Sequence, residues 1–481
     1  MTNRLWVYIF IPLILLASNI NADVELPQMG DTSGSVISPA EEKALGEAFM
    51  RELRRSASIY DDPESAEYIQ SLGYRIASHS QYPIDFTFFI VDSPVINAFA
   101  APGGYIGLNA GLILESQTES ELASVVAHEI AHISQRHLPR AFEQASKLSL
   151  PTAAAIIAAI ILAQNNPNIA EAAIATTIAG TQQTMINFTR ANEIEADNIG
   201  MQYLADANFD PKGMPAFFSR LQKAHRYYDS QLPEYLSTHP ITISRISESE
   251  SRAARLPAIQ DKSYESFYPL LKAKLRVNAD ATGQDSIAFY KEKLENPSNK
   301  EEPVFRYGYA LALLKANQLT LAAEQAQQLL QRSPESSIYI HLNAKIAIAQ
   351  HKYKDATDLL TKSLKIYPRH YPLTMLQAEA LLANKQADEA RRLLLDQIYY
   401  RKPTPSLYKI FAKATELAGY RAESHEALAE YHYQQGALNA AINQIESALK
   451  IADERNFHLV SRLEARKKEL TYEMKLRSRN Q

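Results

Sequence analysis

The arrangement of apolar and polar residues divides this chain into stretches of different character. An uninterrupted apolar run covers residues 5–17, directly after Arg4. Farther on, DFTFFIV at residues 85–91 is short, aromatic and β-branched, and strand-like pieces flank the Pro-Gly-Gly step at residues 102–104, which together predict a small sheet. The second half of the chain carries helical patterns only. The expected fold class is therefore a mostly helical α+β domain with a small sheet, followed by an all-α domain.

The segment SPAEEKALGEAFMRELRR predicts the start of a helix. Ser38, Pro39 and Glu41 fit an N-cap, a first-turn proline and a capping-box glutamate. Another helix is expected to carry SVVAHEIAHISQRH, residues 124–137. Both helices and the strands fall in one predicted domain, residues 23–262.

Small residues recur with a fixed period in the second half of the chain. Two rows of alanines share a spacing of 34 residues: Ala288, Ala322, Ala356 and Ala390, and Ala310, Ala344 and Ala378. This spacing is typical of a 34-residue helix–turn–helix repeat, because its paired helices must approach closely. It predicts a tetratricopeptide array over residues 263–481. A helix near residues 407–418 is expected to be inserted out of phase, before a last unit with Ala429 and Ala441.

Two apolar segments are candidates for contact with a membrane. Residues 1–22 have the layout of a cleaved secretory signal peptide, with a mature start near Asp23; an uncleaved anchor helix is the alternative. Residues 150–180 are apolar and interrupted by QNNPN, which predicts a helical hairpin too short to span a bilayer. That hairpin could be ordinary core, or an apolar flap that meets substrate or makes a peripheral membrane contact.

Charge and cysteine content exclude several function classes. With 50 Lys+Arg against 54 Asp+Glu and no basic runs, the chain has no field that favours nucleic acid, so we expect no nucleic-acid partner. It has no cysteine, so neither disulfides nor a lipidated amino terminus is possible. An exported protein of this kind has to rely on its hydrophobic core.

The stretch HEIAH at residues 128–132 carries the candidate chemistry. On a helix, residues four apart lie about 40° from each other, so His128 and His132 point the same way and can bind one ion. A catalytic zinc keeps one coordination place for water, whose pKa it lowers to about 7, and a neighbouring carboxylate such as Glu129 can take the proton. His137 is expected to face the opposite side of the helix and to be solvated.

Two histidines do not complete such a site, so a third ligand must come from elsewhere. Glu193 and Asp197 are four residues apart and share a helix face, whereas Glu195 lies on the far side. We expect Glu193 to be the ligand and Asp197 to orient a ligating histidine. Spacing alone leaves a solvated acidic face open as the alternative.

Four motifs together resemble a known family: HEIAH, EIEAD at residues 193–197, NAFAAPGGYIGLNAGLI at residues 97–113, and LSTHP at residues 236–240. They are similar to those of the membrane-associated zinc endopeptidases that include HtpX and the CAAX prenyl proteases. The signal sequence and the repeats narrow the resemblance to a periplasmic type. It implies a zincin-like protease domain followed by a tetratricopeptide solenoid, and localisation in the periplasm.

The resemblance also implies roles for individual residues. His128, His132 and Glu193 would bind one Zn²⁺ per chain, and Glu129 would be the general base. His239, in the THP step, would reach the metal and keep the protease latent; a surface loop histidine is the alternative. Relatives of this type can use disulfides to tie the repeats to the protease, and this chain cannot.

The implied substrates are unfolded or misassembled outer-membrane proteins, with the β-barrel assembly machinery as a partner. An extended substrate is expected to add alongside the strand from Tyr105 to Leu108, where Gly103 and Gly104 leave the backbone accessible. The repeats would recruit partner segments in their groove. A hypothesis from another class is a non-enzymatic periplasmic scaffold or chaperone with a latent or structural metal site.

Overall fold

The computed structural model describes residues 38–137, 190–227, 234–260, 263–295, 298, 301–453 and 455–478. The predicted signal peptide and the predicted apolar hairpin at residues 150–180 lie outside these ranges. Within them, no helix combines the length and the apolar character that crossing a bilayer requires.

A three-stranded sheet lies at the centre of the first unit. It consists of β1 (Thr87–Val91), β2 (Ala98–Ala101) and β3 (Tyr105–Asn109). The order is β1-β3-β2, with β1 parallel and β2 antiparallel to β3. The strands predicted on both sides of the Pro-Gly-Gly step are thus confirmed, and β3 is the central strand.

Helices cover both faces of this sheet. They are α1 (Pro39–Ser56), α2 (Pro63–Ala77), α3 (Ala110–Glu115), α4 (Glu119–Ser134), α5 (Arg190–Asp206), α6 (Gly213–Tyr227), α7 (Glu234–Thr238) and α8 (Ile243–Ala253). The predicted capping box at Ser38 and Glu41 begins α1. Alternate strand residues divide between two cores: Phe89 and Phe99 pack with α1, whereas Phe88 and Ile106 pack with α2 and α4. The α4 helix is buried from Ser120 to Ile133, so its polar side chains lie in the interior.

The second unit is helical throughout its described residues. Its helices are α9 (Tyr268–Ala279), α10 (Gln284–Lys293), α11 (Glu302–Lys315), α12 (Leu319–Arg332), α13 (Ser337–Ala349), α14 (Tyr353–Ile366), α15 (Tyr371–Ala383), α16 (Ala387–Tyr400), α17 (Pro405–Leu417), α18 (Arg421–Gln434), α19 (Leu438–Ile451) and α20 (Phe457–Ser478). They form an antiparallel array of neighbouring pairs, as the 34-residue period predicted. The α+β unit followed by an all-α array confirms the expected fold class.

Six of the seven predicted alanines are fully buried between helices, at positions 310, 322, 344, 356, 378 and 390. Ala288 is exposed, so the period begins one repeat later than predicted. The expectation of an out-of-phase helix near residues 407–418 is also wrong. Ala412 lies 34 residues after Ala378 and is buried, and Ser424, in the place of the next alanine, donates to the Ala412 carbonyl at 2.8 Å. A serine in an alanine row concealed this repeat.

The two units pack directly against each other. Tyr268 and Leu271 of α9 belong to the core around α4, whereas Leu270 and Val277 on the same helix belong to the first repeat core. Because α9 takes part in both cores, the division near residue 262 stays a prediction. The contact between the units is built from side-chain packing and ion pairs, as a chain without cysteine requires.

Candidate metal centre

The candidate site forms where α5 crosses α4. Gly200 of α5 makes the close crossing possible, because a Cβ atom there would lie only 3.0 Å from the carbonyl oxygen of Ala127. The crossing brings the first turns of α5 over the second half of α4. Glu193 and Asp197 therefore face the histidines of the HEIAH stretch, and the solvated acidic face that spacing left open is wrong for these two residues.

Four side chains supply potential ligand atoms that all lie within 4.8 Å of one another: His128, His132, Glu193 and His239. All four are buried. His128 and His132 come from α4, Glu193 from α5, and His239 from the segment after α7. Three separate parts of the chain thus converge on one point.

The distances between these atoms fit a single small cation. The Nε2 atoms of His128 and His132 are 2.9 Å apart, and the Glu193 carboxylate oxygens lie 3.5 Å and 3.4 Å from them. Tetrahedral coordination with bonds of about 2.0–2.1 Å separates ligand atoms by about 3.3 Å. Two imidazoles and one carboxylate at this spacing suit a divalent metal ion such as zinc.

His239 lies inside the group and not on the surface. Its Nδ1 atom is 3.3 Å from His128 Nε2 and 3.0 Å from Glu193 Oε1. Only 2% of the residue is exposed. The alternative of a surface loop histidine is therefore wrong, and His239 is the third imidazole and the fourth potential ligand of the group.

Glu129 stands beside the four converging side chains without belonging to them. It is fully buried, and its carboxylate contacts the backbone amide of Ala100 and the ring of His239. Its Oε1 atom lies 3.6 Å from Nε2 of His239. Burial raises the pKa of this carboxyl group, which is the direction expected of a general base.

Asp197 and Arg245 support the two ligand helices. Asp197 Oδ1 lies 3.0 Å from Nδ1 of His128, where a carboxylate fixes the ring of a metal-binding histidine. Arg245 of α8 donates to both oxygens of Asp197, at 2.7 Å and 2.8 Å, and its Nη1 lies 2.9 Å from Glu193. Burial acts to raise the pKa of Asp197, but the hydrogen bonds from Arg245 and His128 outweigh it and leave the pKa lowered. Sequence reasoning missed Arg245, which lies 48 residues from Asp197 and forms no local motif with it.

The prediction that His137 is solvated is wrong. The α4 helix ends at Ser134, and Arg136 adopts a left-handed conformation with φ of 54°, so the chain turns back on itself. His137 is 1% exposed, and its Nδ1 atom lies 2.9 Å from Nδ1 of His132. Its Nε2 atom is 3.0 Å from Glu195, a residue that the sequence placed on the far side of its helix. Extending the helix to residue 137 caused the error.

The predicted docking strand is also wrong. The β3 strand is paired on both edges, so no substrate can add alongside Tyr105 to Leu108. Gly103 and Gly104 are buried and serve other contacts: a Cβ at Gly104 would lie 2.6 Å from the Asp85 carbonyl oxygen. The outward edge of β2 is the alternative. Asn109 donates to the Asn97 carbonyl, so in this antiparallel ladder the backbone groups of Ala98 and Ala100 point away from β3.

Fold and site together define a metallopeptidase joined to a tetratricopeptide array. Residues 63–253 match the model of peptidase family M48, and residues 347–407 match a tetratricopeptide repeat model. The beta-barrel assembly-enhancing protease of Escherichia coli (strain K12) is 35% identical over 425 residues, which cover 88% of this chain and 86% of the relative. The chain belongs to this family of M48 metalloendopeptidases.

Two further relatives extend the comparison. The beta-barrel assembly-enhancing protease of Yersinia pestis is 34% identical over 88% of this chain and 87% of its own length. A mitochondrial metalloendopeptidase of Arabidopsis thaliana is 28% identical over 44% of this chain and 41% of its own length. Similarity to metalloendopeptidases with different names agrees with metal-dependent proteolysis as the activity of this chain.

Proposed function

We propose that this protein is a zinc-dependent endopeptidase of the periplasm that degrades misfolded or stalled outer-membrane proteins and assists their assembly. The observation that carries the chemistry is the convergence of His128, His132 and Glu193 beside the buried carboxylate of Glu129. The names of the relatives refer to β-barrel assembly, which supports the substrate class. The signal-like residues 1–22 support export.

In this proposal each side chain has one task. His128, His132 and Glu193 would hold one zinc ion, which when bound would supply a Lewis acid for the scissile carbonyl and for water. Glu129 would accept the proton from the attacking water, and the pKa of its carboxyl group, raised by burial, suits that task. Asp197 fixes the ring of His128 through Nδ1.

The substrate strand would pair with the outward edge of β2. Ala98 and Ala100 present backbone groups there, and α4 packs against this strand, so an added strand would run near Glu129. The start of the same edge is occupied by α7, because the Tyr235 amide donates to the Ile96 carbonyl at 3.1 Å. The segment that carries His239 and the substrate would therefore compete for one edge.

His239 would act as a gate in this scheme. While its imidazole lies beside His128 and Glu193, it would exclude water from the metal site. Displacement of α7 by a substrate strand would withdraw His239 and open the site. The enzyme would then rest in a latent form, which protects folded proteins around it.

The repeats would recruit clients and the β-barrel assembly machinery. A cleft of about 1300 Å³ lies between the peptidase and the repeats, with Tyr60, Phe88, Tyr371 and Tyr433 among its lining residues. Aromatic walls suit unfolded segments rich in apolar side chains.

A direct test compares cleavage of a loosely folded β-barrel protein by three preparations: the wild type, Glu129→Gln, and wild type stripped of metal. We expect activity in the first only, restored to the third by adding zinc. Equal activity in all three would contradict the proposed chemistry. Binding of the unfolded barrel without cleavage by any preparation would favour the scaffold hypothesis instead.

A further inference from the structure

Behind the candidate metal ligand His132, a chain of two further side chains leads to the protein surface. His137 Nδ1 lies 2.9 Å from His132 Nδ1, and His137 Nε2 lies 3.0 Å from Glu195 Oε2. The rings of the two histidines meet edge to face, with centroids 5.0 Å apart. We propose that His137 and Glu195 are positioning residues that fix the tautomer and orientation of His132 for metal binding. This proposal rests on the proposed metal centre.

The donor and acceptor of each contact follow from the geometry. His132 presents Nε2 to His128 and Glu193, so a ligating His132 uses its Nε2 lone pair and carries its proton on Nδ1. Two Nδ1 atoms at hydrogen-bond distance need one donor and one acceptor. His132 therefore donates, and His137 accepts through an unprotonated Nδ1.

Glu195 completes the assignment. Since Nδ1 of His137 is the acceptor, its proton sits on Nε2, from which it is donated to the Glu195 carboxylate. Without Glu195 the other tautomer of His137 would become accessible, and its Nδ1 proton would oppose that of His132. The carboxylate thus acts on the metal centre through two imidazole rings.

The EIEAD stretch then supplies three carboxylates with three tasks. Glu193 faces the proposed metal position between the histidines, Asp197 supports His128 directly, and Glu195 supports His132 through His137. The different routes reflect position on α5. Glu193 and Asp197 lie on the inner face, whereas Glu195 points to the turn after α4, with 41% of its side chain exposed.

The hydrogen-bonded chain from Glu195 through His137 to His132 is called the relay below. It predicts an effect on metal affinity that does not depend on catalysis. Loss of such support typically weakens metal binding 10–100-fold. For Glu195→Ala we expect a rise of about tenfold in the zinc dissociation constant, measured by competition with a chromophoric chelator at fixed pH. Glu195→Gln, whose amide oxygen can still accept from His137, should recover part of the loss. Asp206→Ala removes an exposed carboxylate from the same helix and should leave the constant unchanged.

A double-mutant cycle separates the relay from simple charge attraction. In a His137→Phe background, Glu195→Ala should cause no further loss, because Glu195 acts only through His137. A further tenfold loss in that background would show a direct electrostatic effect and overturn the relay. The melting temperature of each metal-free variant identifies any unfolded protein. If His137→Phe does not fold, the variants at the half-buried Glu195 still test the proposal.

Failure of the proposed metal centre and failure of the relay give different results in this experiment. If the wild type binds no zinc, the proposed metal centre itself is contradicted. If the wild type binds zinc and Glu195→Ala binds it equally tightly, only the relay is wrong.

Discussion

The Nδ1 atom of His239 lies 3.0 Å from Oε1 of Glu193. This contact joins the segment after α7 to α5, and it closes the candidate site with a side chain of the protein itself. Arg245 holds the closed arrangement from the other side, since it donates to the carbonyl of Pro240, the residue after His239, at 2.8 Å. Glu193, His239 and Arg245 thus form one buried network, through which the proposed gate would act.

Removing this side chain should activate the enzyme. For His239→Ala we expect faster cleavage of a loosely folded substrate, together with self-cleavage, because three ligands remain and the fourth place opens. A hydrogen bond to a charged group contributes about 1.5–3 kcal/mol, so its loss should raise the rate by about tenfold or more. The measurement is initial rate with bound zinc determined in parallel. Unchanged or slower cleavage with zinc still bound would contradict the gate.

Glu129→Gln should abolish proteolysis without removing the metal. Gln is nearly isosteric but cannot accept the proton, and loss of a general base lowers rates by about 10²–10⁴-fold. Zinc content should stay at the wild-type level, since Glu129 lies outside the group of four convergent ligand atoms. Glu193→Gln is the matched comparison, because it should lower both activity and zinc content. A variant at Glu129 that cleaves at the wild-type rate would remove this residue from the mechanism.

What the sequence could predict was set by local geometry. Residues four apart on one helix share a face in any fold, so His128 with His132, and Glu193 with Asp197, were accessible from spacing. Arg245 was not, because its partners lie on another helix. His137 was misjudged since one left-handed residue, Arg136, redirects the chain.

The same limit applies to the fold. The 34-residue period gave the array, but a single Ser424 in an alanine row hid one repeat. Strand order depends on contacts between segments, so the sequence identified β3 without showing that both of its edges are paired. Local patterns predicted elements, and tertiary contacts decided which surfaces remain available.

Acid should weaken the contact between the peptidase and the repeats through His341. This histidine of α13 lies 3.2 Å from Glu64 of α2, and burial lowers its pKa from 6.5 to about 4. The unfolded chain therefore takes up a proton at pH values where folded His341 stays neutral. Its contribution to stability is fully present above about pH 6.5 and is lost as the pH falls toward 4, by about 3 kcal/mol at most.

Urea unfolding at pH 7 and pH 4.5 measures this effect. The free energy of unfolding should fall less with acid in His341→Gln than in the wild type. His458→Gln, a change at an exposed histidine of α20, is the matched control and should behave as the wild type. An unchanged acid dependence in His341→Gln would assign the loss to other groups.

Lys274 is expected to be the most sensitive single side chain in the contact between the two units. It lies on α9 with Nζ 2.6 Å from Asp62 and 2.5 Å from Glu64, and it is 4% exposed. Lys274→Met leaves the buried Glu64 and the partly buried Asp62 without this cation, and breaking a buried ion pair destabilises a protein by about 3–5 kcal/mol. Lys402→Met removes an exposed lysine 3.8 Å from Glu47 and should change the free energy of unfolding by less than about 1 kcal/mol.

A rescue experiment tests why Lys274→Met lowers the free energy of unfolding. Adding Glu64→Gln to Lys274→Met removes one of the unpaired charges, so the double variant should be more stable than the single one, although it has one ionisable group fewer. Urea unfolding at pH 7 provides the comparison. Equal or lower stability of the double variant would mean that Lys274 acts through packing of its aliphatic chain and not through its charge. Because no disulfide can join the units, either result identifies what holds the repeats against the peptidase.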